Sequence, residues 1–202
     1  MILKPSDFIG EYSIPNLDDT MIDSNILGNT SLLNAIISKH EKKILIDILG
    51  FNLYNLLIDE IDLNNENRLK DTSDNKWNLL LNGNDCYVGI IKSIIPFIYY
   101  EFLKVKESQL TSLGVSKSQG KSSSDFSSRT KAVDAINDYN ELVFGSSDYD
   151  YDVMQWGDLI SINNSSNSKC SLINFLELNK NSYSEWIKPD FNKYKNVNTF
   201  DL

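Results

Sequence analysis

Histidine occurs once in this chain and cysteine twice, and both shortages narrow its chemistry. Ser-His-Asp catalysis would depend entirely on His40, which falls on the apolar-periodic face of a predicted helix, where a structural histidine is expected. No Gly-x-Ser-x-Gly elbow is present. There is no Gly-x-x-x-x-Gly-Lys-Ser/Thr phosphate loop and no Gly-x-Gly-x-x-Gly turn. Cys86 and Cys170 lie far apart in the chain, with no zinc-ligand spacing. They are read as thiols of a reducing compartment.

Positive charge is also in short supply. Lys and Arg number 19 against 28 Asp and Glu, for a net charge of −9. An acidic chain repels phosphate, so sequence-specific binding of DNA or RNA is not expected, and no Lys/Arg-rich run suggests a membrane-surface patch. Long apolar runs are missing as well. The longest stretch, Ile90 to Leu103, is interrupted by Lys92, Ser93, Pro96 and Glu101 and is too short and polar to span a bilayer. The opening Met1-Ile2-Leu3-Lys4-Pro5-Ser6-Asp7 has no apolar signal-peptide region, so no secretory signal is expected.

What remains is one domain's worth of chain: 202 residues, 41% of them hydrophobic. Residues 1–29 read as an N-terminal arm punctuated by Pro5, Gly10, Pro15 and Gly28. Its apolar residues Phe8, Ile9, Tyr12 and Ile14 read as anchors on the body of this subunit or of a neighbour. Residues 30–187 read as a helical domain, with loops at 63–87, 111–127 and 146–170, and residues 188–202 as a C-terminal arm.

Within the domain, Leu33, Ile36, Ile37, Ile44 and Ile48 recur at helical spacing, predicting a helix from Thr30 to Leu49 N-capped by Thr30 or Ser31. Gly50 is placed to end it without Cβ strain, and a second helix is predicted from Asn52 to Asp62. Trp77 to Leu81 read as a short apolar patch within the first loop. The most apolar helix is predicted at Val88 to Gln109 and belongs at the centre or at an interface. Pro96 either kinks it or starts it. Further helices are predicted at Ser128–Phe144 and Leu172–Ile187. The fold class is therefore mainly all-α, a bundle of four to five helices with extended termini and long loops.

Asp148-Tyr149-Asp150-Tyr151-Asp152 is the one string resembling a metal loop. An EF-hand would next need Gly, and Glu at its twelfth position; Val153 and Leu159 stand there instead. A solvated acidic face with tyrosines beneath is the reading. Pairs such as Asp18-Asp19 and Asp59-Glu60 are what any acidic chain scatters. No catalytic, cofactor or metal residue is assigned, and a small metal-dependent hydrolase is kept only as the alternative class. The aromatics suit contact better than catalysis, since Tyr and Trp bury large areas and keep a polar tip. The interface candidates are Phe8, Ile9, Tyr12, Trp156, Phe191, Tyr194 and Phe200.

The order of segments is similar to a known group. An arm reading Asp7-Phe8-Ile9-Gly10-Glu11-Tyr12-Ser13-Ile14-Pro15 is followed by a helix with His40-Glu41-Lys42-Lys43-Ile44-Leu45-Ile46-Asp47-Ile48-Leu49-Gly50. Then come Ile94-Ile95-Pro96-Phe97-Ile98-Tyr99-Tyr100-Glu101-Phe102-Leu103, Thr111-Ser112-Leu113-Gly114-Val115 and a helix from Lys131 to Val143. This order resembles the head–tail connector or adaptor (ring) proteins of tailed bacteriophages of the crAss-like, Bacteroidetes-infecting type. The ending Asn198-Thr199-Phe200-Asp201 is similar to that group's terminal pattern, with Asp201 where Gly is usual. The resemblance implies a non-enzymatic virion protein at the head–tail junction. Its partners would be its own copies, twelve to a ring, with the portal protein on one side and tail or further ring proteins on the other. The genome would pass through the lumen. A tail-completion or stopper protein of the same virion is the nearest alternative.

Overall fold

The computed structural model describes residues 1–15, 17, 21–23, 26–65, 68–108, 128–145 and 170–188. Five α-helices lie among them: α1 (Asn29–Glu60), α2 (Asn75–Asn82), α3 (Ile90–Ser108), α4 (Ser128–Phe144) and α5 (Leu172–Leu178). Two 3-10 turns, Pro5–Asp7 and Gly10–Tyr12, precede them, with a short antiparallel pair, β1 (Met21–Asp23) and β2 (Ile26–Leu27). The fold is an all-α bundle. The expected loops 111–127 and 146–169 lie outside the described residues.

α3 is the central helix, packing most extensively on α4 and also on α1 and α2. Ile90, Ile94, Ile98 and Phe102 form its buried stripe at four-residue spacing. The facing seam of α4 is Ala132, Ala135, Tyr139 and Val143, whose two alanines leave room for the bulkier α3 side chains. α1 contributes Leu33, Ile37, Leu45, Ile48, Leu49, Leu53 and Leu57, all nearly inaccessible to solvent. Each such side chain stabilises the fold by roughly 1.5–3 kcal/mol relative to exposure.

Gly50 breaks α1 into the two segments that the sequence predicts. Its φ of 75° is positive as expected, but its ψ of 161° is extended, so the chain turns once and resumes helix at the next residue. Gly28 is the N-cap of α1, and Thr30 and Ser31 lie inside the helix rather than capping it. Pro96 lies inside α3, well past the first turn, which excludes the helix-start alternative.

Two expectations are corrected. The patch at Trp77–Leu81 is part of a real helix, α2, because Trp77, Leu80 and Leu81 share one buried face; the 63–87 segment is therefore not simply a loop. The last helix stops at Leu178 instead of reaching Ile187. The Asn179 side chain donates to the Phe175 carbonyl at 2.8 Å, and residues 179–188 continue as turns.

Candidate functional site

The N-terminal segment lies against the body of its own chain. Ile2 and Leu3 donate their backbone N–H groups to the two carboxylate oxygens of Glu41, at 2.8 and 2.9 Å. Glu41 is a buried charge in the middle of α1. Asp7 and Arg68 make a bidentate ion pair at 2.5 and 3.0 Å, and Arg68 also donates to the Ile2 carbonyl at 3.0 Å. Arg68 holds a positive φ of 59° in doing so. Nothing in the hydrophobic periodicity singles out Glu41 or Arg68, because their partners are backbone groups and a carboxylate remote in sequence.

The interface candidates separate on this framework. Phe8 is buried in the chain's own core at 3% exposure and is therefore not available to a neighbour. Ile9, the next residue, is 72% exposed. Tyr12 turns inward: its hydroxyl donates to Asp138 at 2.6 Å and its ring meets Tyr99 edge-on. Burial, then the Asp138 hydrogen bond and charge, push the Tyr12 hydroxyl pKa well above its ordinary range. Trp156, Phe191, Tyr194 and Phe200 lie outside the described residues, as does the Asp148–Asp152 string.

Residues 170–188 form a block docked on the body. The N–H of Cys170 donates to the carbonyl of Cys86 at 2.6 Å, so the fold joins two cysteines that are distant in sequence. Phe175 stacks on the fully buried Tyr87, with ring centroids 4.4 Å apart. The Tyr183 hydroxyl donates to the Lys76 carbonyl at 2.6 Å, and burial pushes its pKa up to about 12. The Trp186 indole donates to the Ile48 carbonyl at 3.1 Å, just before the Gly50 break.

Three large apolar side chains stand in solvent close to these contacts in the chain: Phe51 at 62%, Leu178 at 57% and Ile187 at 72% exposure. An open cleft of ≈ 450 Å³ is lined by Ile187 with Glu177, Lys180, Trp186 and Lys188, the last paired with Glu177 at 2.5 Å. Exposed apolar side chains of this size are what a contact surface needs.

His40 lies at the rim of the α1–α3 contact, its Nε2 3.8 Å from Glu101, which also accepts from Lys104 at 3.1 Å. Burial lowers the His40 pKa, the neighbouring Lys39, Lys104 and Lys43 lower it further, and Glu101 opposes them. Among the described residues no three His, Cys, Asp or Glu side chains converge as a metal site would require, and no helix is long and apolar enough to cross a membrane. Comparison of the chain with protein-family models, with curated proteins and with solved structures finds no match.

Proposed function

We propose that this chain is a structural head–tail adaptor of a tailed bacteriophage, non-enzymatic, assembling as a ring between portal and tail through which DNA passes. The observation that carries the reading furthest is the exposed apolar set Phe51, Leu178 and Ile187, the last two on the docked C-terminal block of a well-packed helical body. A subunit of this kind works mechanically. Its core is rigid, and its apolar contacts are repeated around a ring, where each further contact becomes effectively intramolecular. The net charge of −9 suits a channel that must not hold DNA. The order of segments that resembles the adaptor group supports the same reading.

The test is direct. The protein is mixed with portal rings of the same virus and imaged by electron microscopy. An additional symmetric layer on one face of the portal is the expected result and gives the copy number. Bare portals at high protein excess would overturn docking at the portal.

A further inference from the structure

Cys86 and Cys170 are the two cysteines of the chain, and both carry thiols in the structure. Their backbones meet through the 2.6 Å hydrogen bond from Cys170 N–H to the Cys86 carbonyl. That bond limits the distance between the two Cα atoms. A Cα lies about 2.4 Å from its own carbonyl oxygen and about 1.5 Å from its own amide nitrogen, so the pair is at most about 6.5 Å apart. Cα atoms joined by a disulfide stand about 4.4–6.8 Å apart. The Cα separation of the two cysteines is therefore within the range that disulfides span.

The surroundings hold that register. The Asn84 side chain accepts from the N–H groups of Cys86 and Tyr87 at 3.0 and 2.8 Å, and Asn84 N–H donates to the Tyr87 carbonyl at 2.7 Å. Gly83 and Gly89, both at positive φ, close the corner so tightly that a Cβ on either would collide with backbone. Tyr87 is anchored by its stack on Phe175, in the helix that starts just after Cys170. Cys86 is exposed, so reagents in solution can reach it, while Cys170 is 8% exposed.

We propose that Cys86 and Cys170 form a reversible disulfide that locks residues 170–188 onto the α2–α3 corner when the protein meets an oxidising solution. The oxidant is a low-molecular-weight disulfide such as oxidised glutathione. The Cys86 thiolate attacks one of its sulfurs, the S–S bond breaks, and one glutathione thiolate leaves. The Cys170 thiolate then attacks the Cys86 sulfur of the mixed disulfide and displaces the second glutathione thiolate. The two cysteines are oxidised, the small disulfide is reduced to two thiols, and each proton released by a cysteine ends on a glutathione thiol or in water. Bridging requires both sulfurs to turn toward each other, the Cys170 thiol leaving its 3.4 Å contact with the Ser171 carbonyl.

Residues 170–188 hold to the body through core side chains, Leu172, Ile173, Leu176 and the Phe175 stack among them, and through the hydrogen bonds of Cys170, Tyr183 and Trp186. A bridge closing a loop of roughly 85 residues removes much of the freedom the block would gain on detaching. Under the virion reading, the chain folds reduced inside the host and is oxidised after release. That timing rests on the virion reading; the bond itself does not.

The full chain, purified with reductant, is moved into glutathione buffers of increasing oxidised-to-reduced ratio. The expected product has lost two hydrogens, has no titratable thiol after unfolding, stays a monomer on a non-reducing gel and yields a peptide joining Cys86 to Cys170. Its thermal midpoint rises on the order of 10 °C and falls back on reduction. Cys86→Ser, at an exposed position, is expected to fold and melt like the reduced protein, and to show no rise on oxidation. A stable glutathione adduct on Cys86 with Cys170 still reactive after unfolding would overturn the proposal. So would a Cys86-linked dimer, or a bridge that leaves the midpoint unchanged. Portal imaging reads the adaptor function separately, so either idea can fail alone.

Discussion

Glu41 is the residue on which the N-terminal segment depends. Its two oxygens accept the N–H groups of Ile2 and Leu3 inside the core, where water cannot replace them. Glu41→Gln keeps the shape but turns one acceptor into a donor facing a donor. Hydrogen bonds to a charged group are worth about 1.5–3 kcal/mol, and an orphaned buried donor costs about as much again as a neutral bond. The variant is expected to lose ~2–3 kcal/mol in urea unfolding, with faster amide exchange at Ile2 and Leu3; unchanged exchange there would remove Glu41 as the anchor. His40 carries the pH prediction. Its pKa in the folded state is lowered, chiefly by burial, so the unfolded chain binds a proton more readily. Stability is therefore unaffected above the unfolded pKa of about 6.5 and falls as pH drops from there toward the folded value. His40→Gln is expected to flatten the urea midpoint between about pH 7.5 and pH 5.5. An equal drop in wild type and variant would assign the acid sensitivity to other groups.

At the scale of elements, the Gly50 break decides how α1 wraps the core. Its φ of 75° and ψ of 161° fall in a region that only glycine occupies readily. A Cβ built there meets nothing within 4 Å, so a side chain at this position costs backbone strain without a clash. Gly50→Ala is expected to lose ~1–3 kcal/mol, measured by urea unfolding, with the core packing intact. This joint was legible in the sequence because glycine separates two strongly periodic stretches, and α3 and α4 were legible for the same reason. α2 was missed because it is only 8 residues long, too short for its period to register beside a polar loop. The overlong last helix has a different cause. Leu172, Leu176, Asn179, Tyr183 and Trp186 keep perfect helical spacing, yet the chain leaves the helix after Leu178. The Tyr183 and Trp186 rings are buried by hydrogen-bonding the Lys76 and Ile48 carbonyls, tertiary partners that no local pattern contains. The candidate surface was legible only in part: Ile9 is exposed, but Phe8 is core and Tyr12 is tied to Asp138, because the irregular path of the docked arm through two 3-10 turns has no sequence period.

For the whole molecule, the proposed ring would set two forces of opposite sign against each other between copies. A net charge of −9 on each subunit opposes close packing around a ring, and salt screens that repulsion over a distance of about 10 Å at 0.1 M. In such a ring the attraction would have to come from apolar surface, and Phe51, Leu178 and Ile187 are exposed outside the core and could supply it. Because Phe51 and Ile187 are 62% and 72% exposed, charged replacements there leave the fold nearly untouched, within about 0.5 kcal/mol each. At an assembled interface the same changes bury a carboxylate without a partner, which is strongly unfavourable. The double variant Phe51→Glu, Ile187→Glu is therefore expected to keep the wild-type urea midpoint and lose the added layer on portal rings at least tenfold. A layer of wild-type occupancy would show that this surface is not the contact, and attention would pass to Ile9 on the N-terminal segment. A lowered urea midpoint would mean that these side chains support the fold itself.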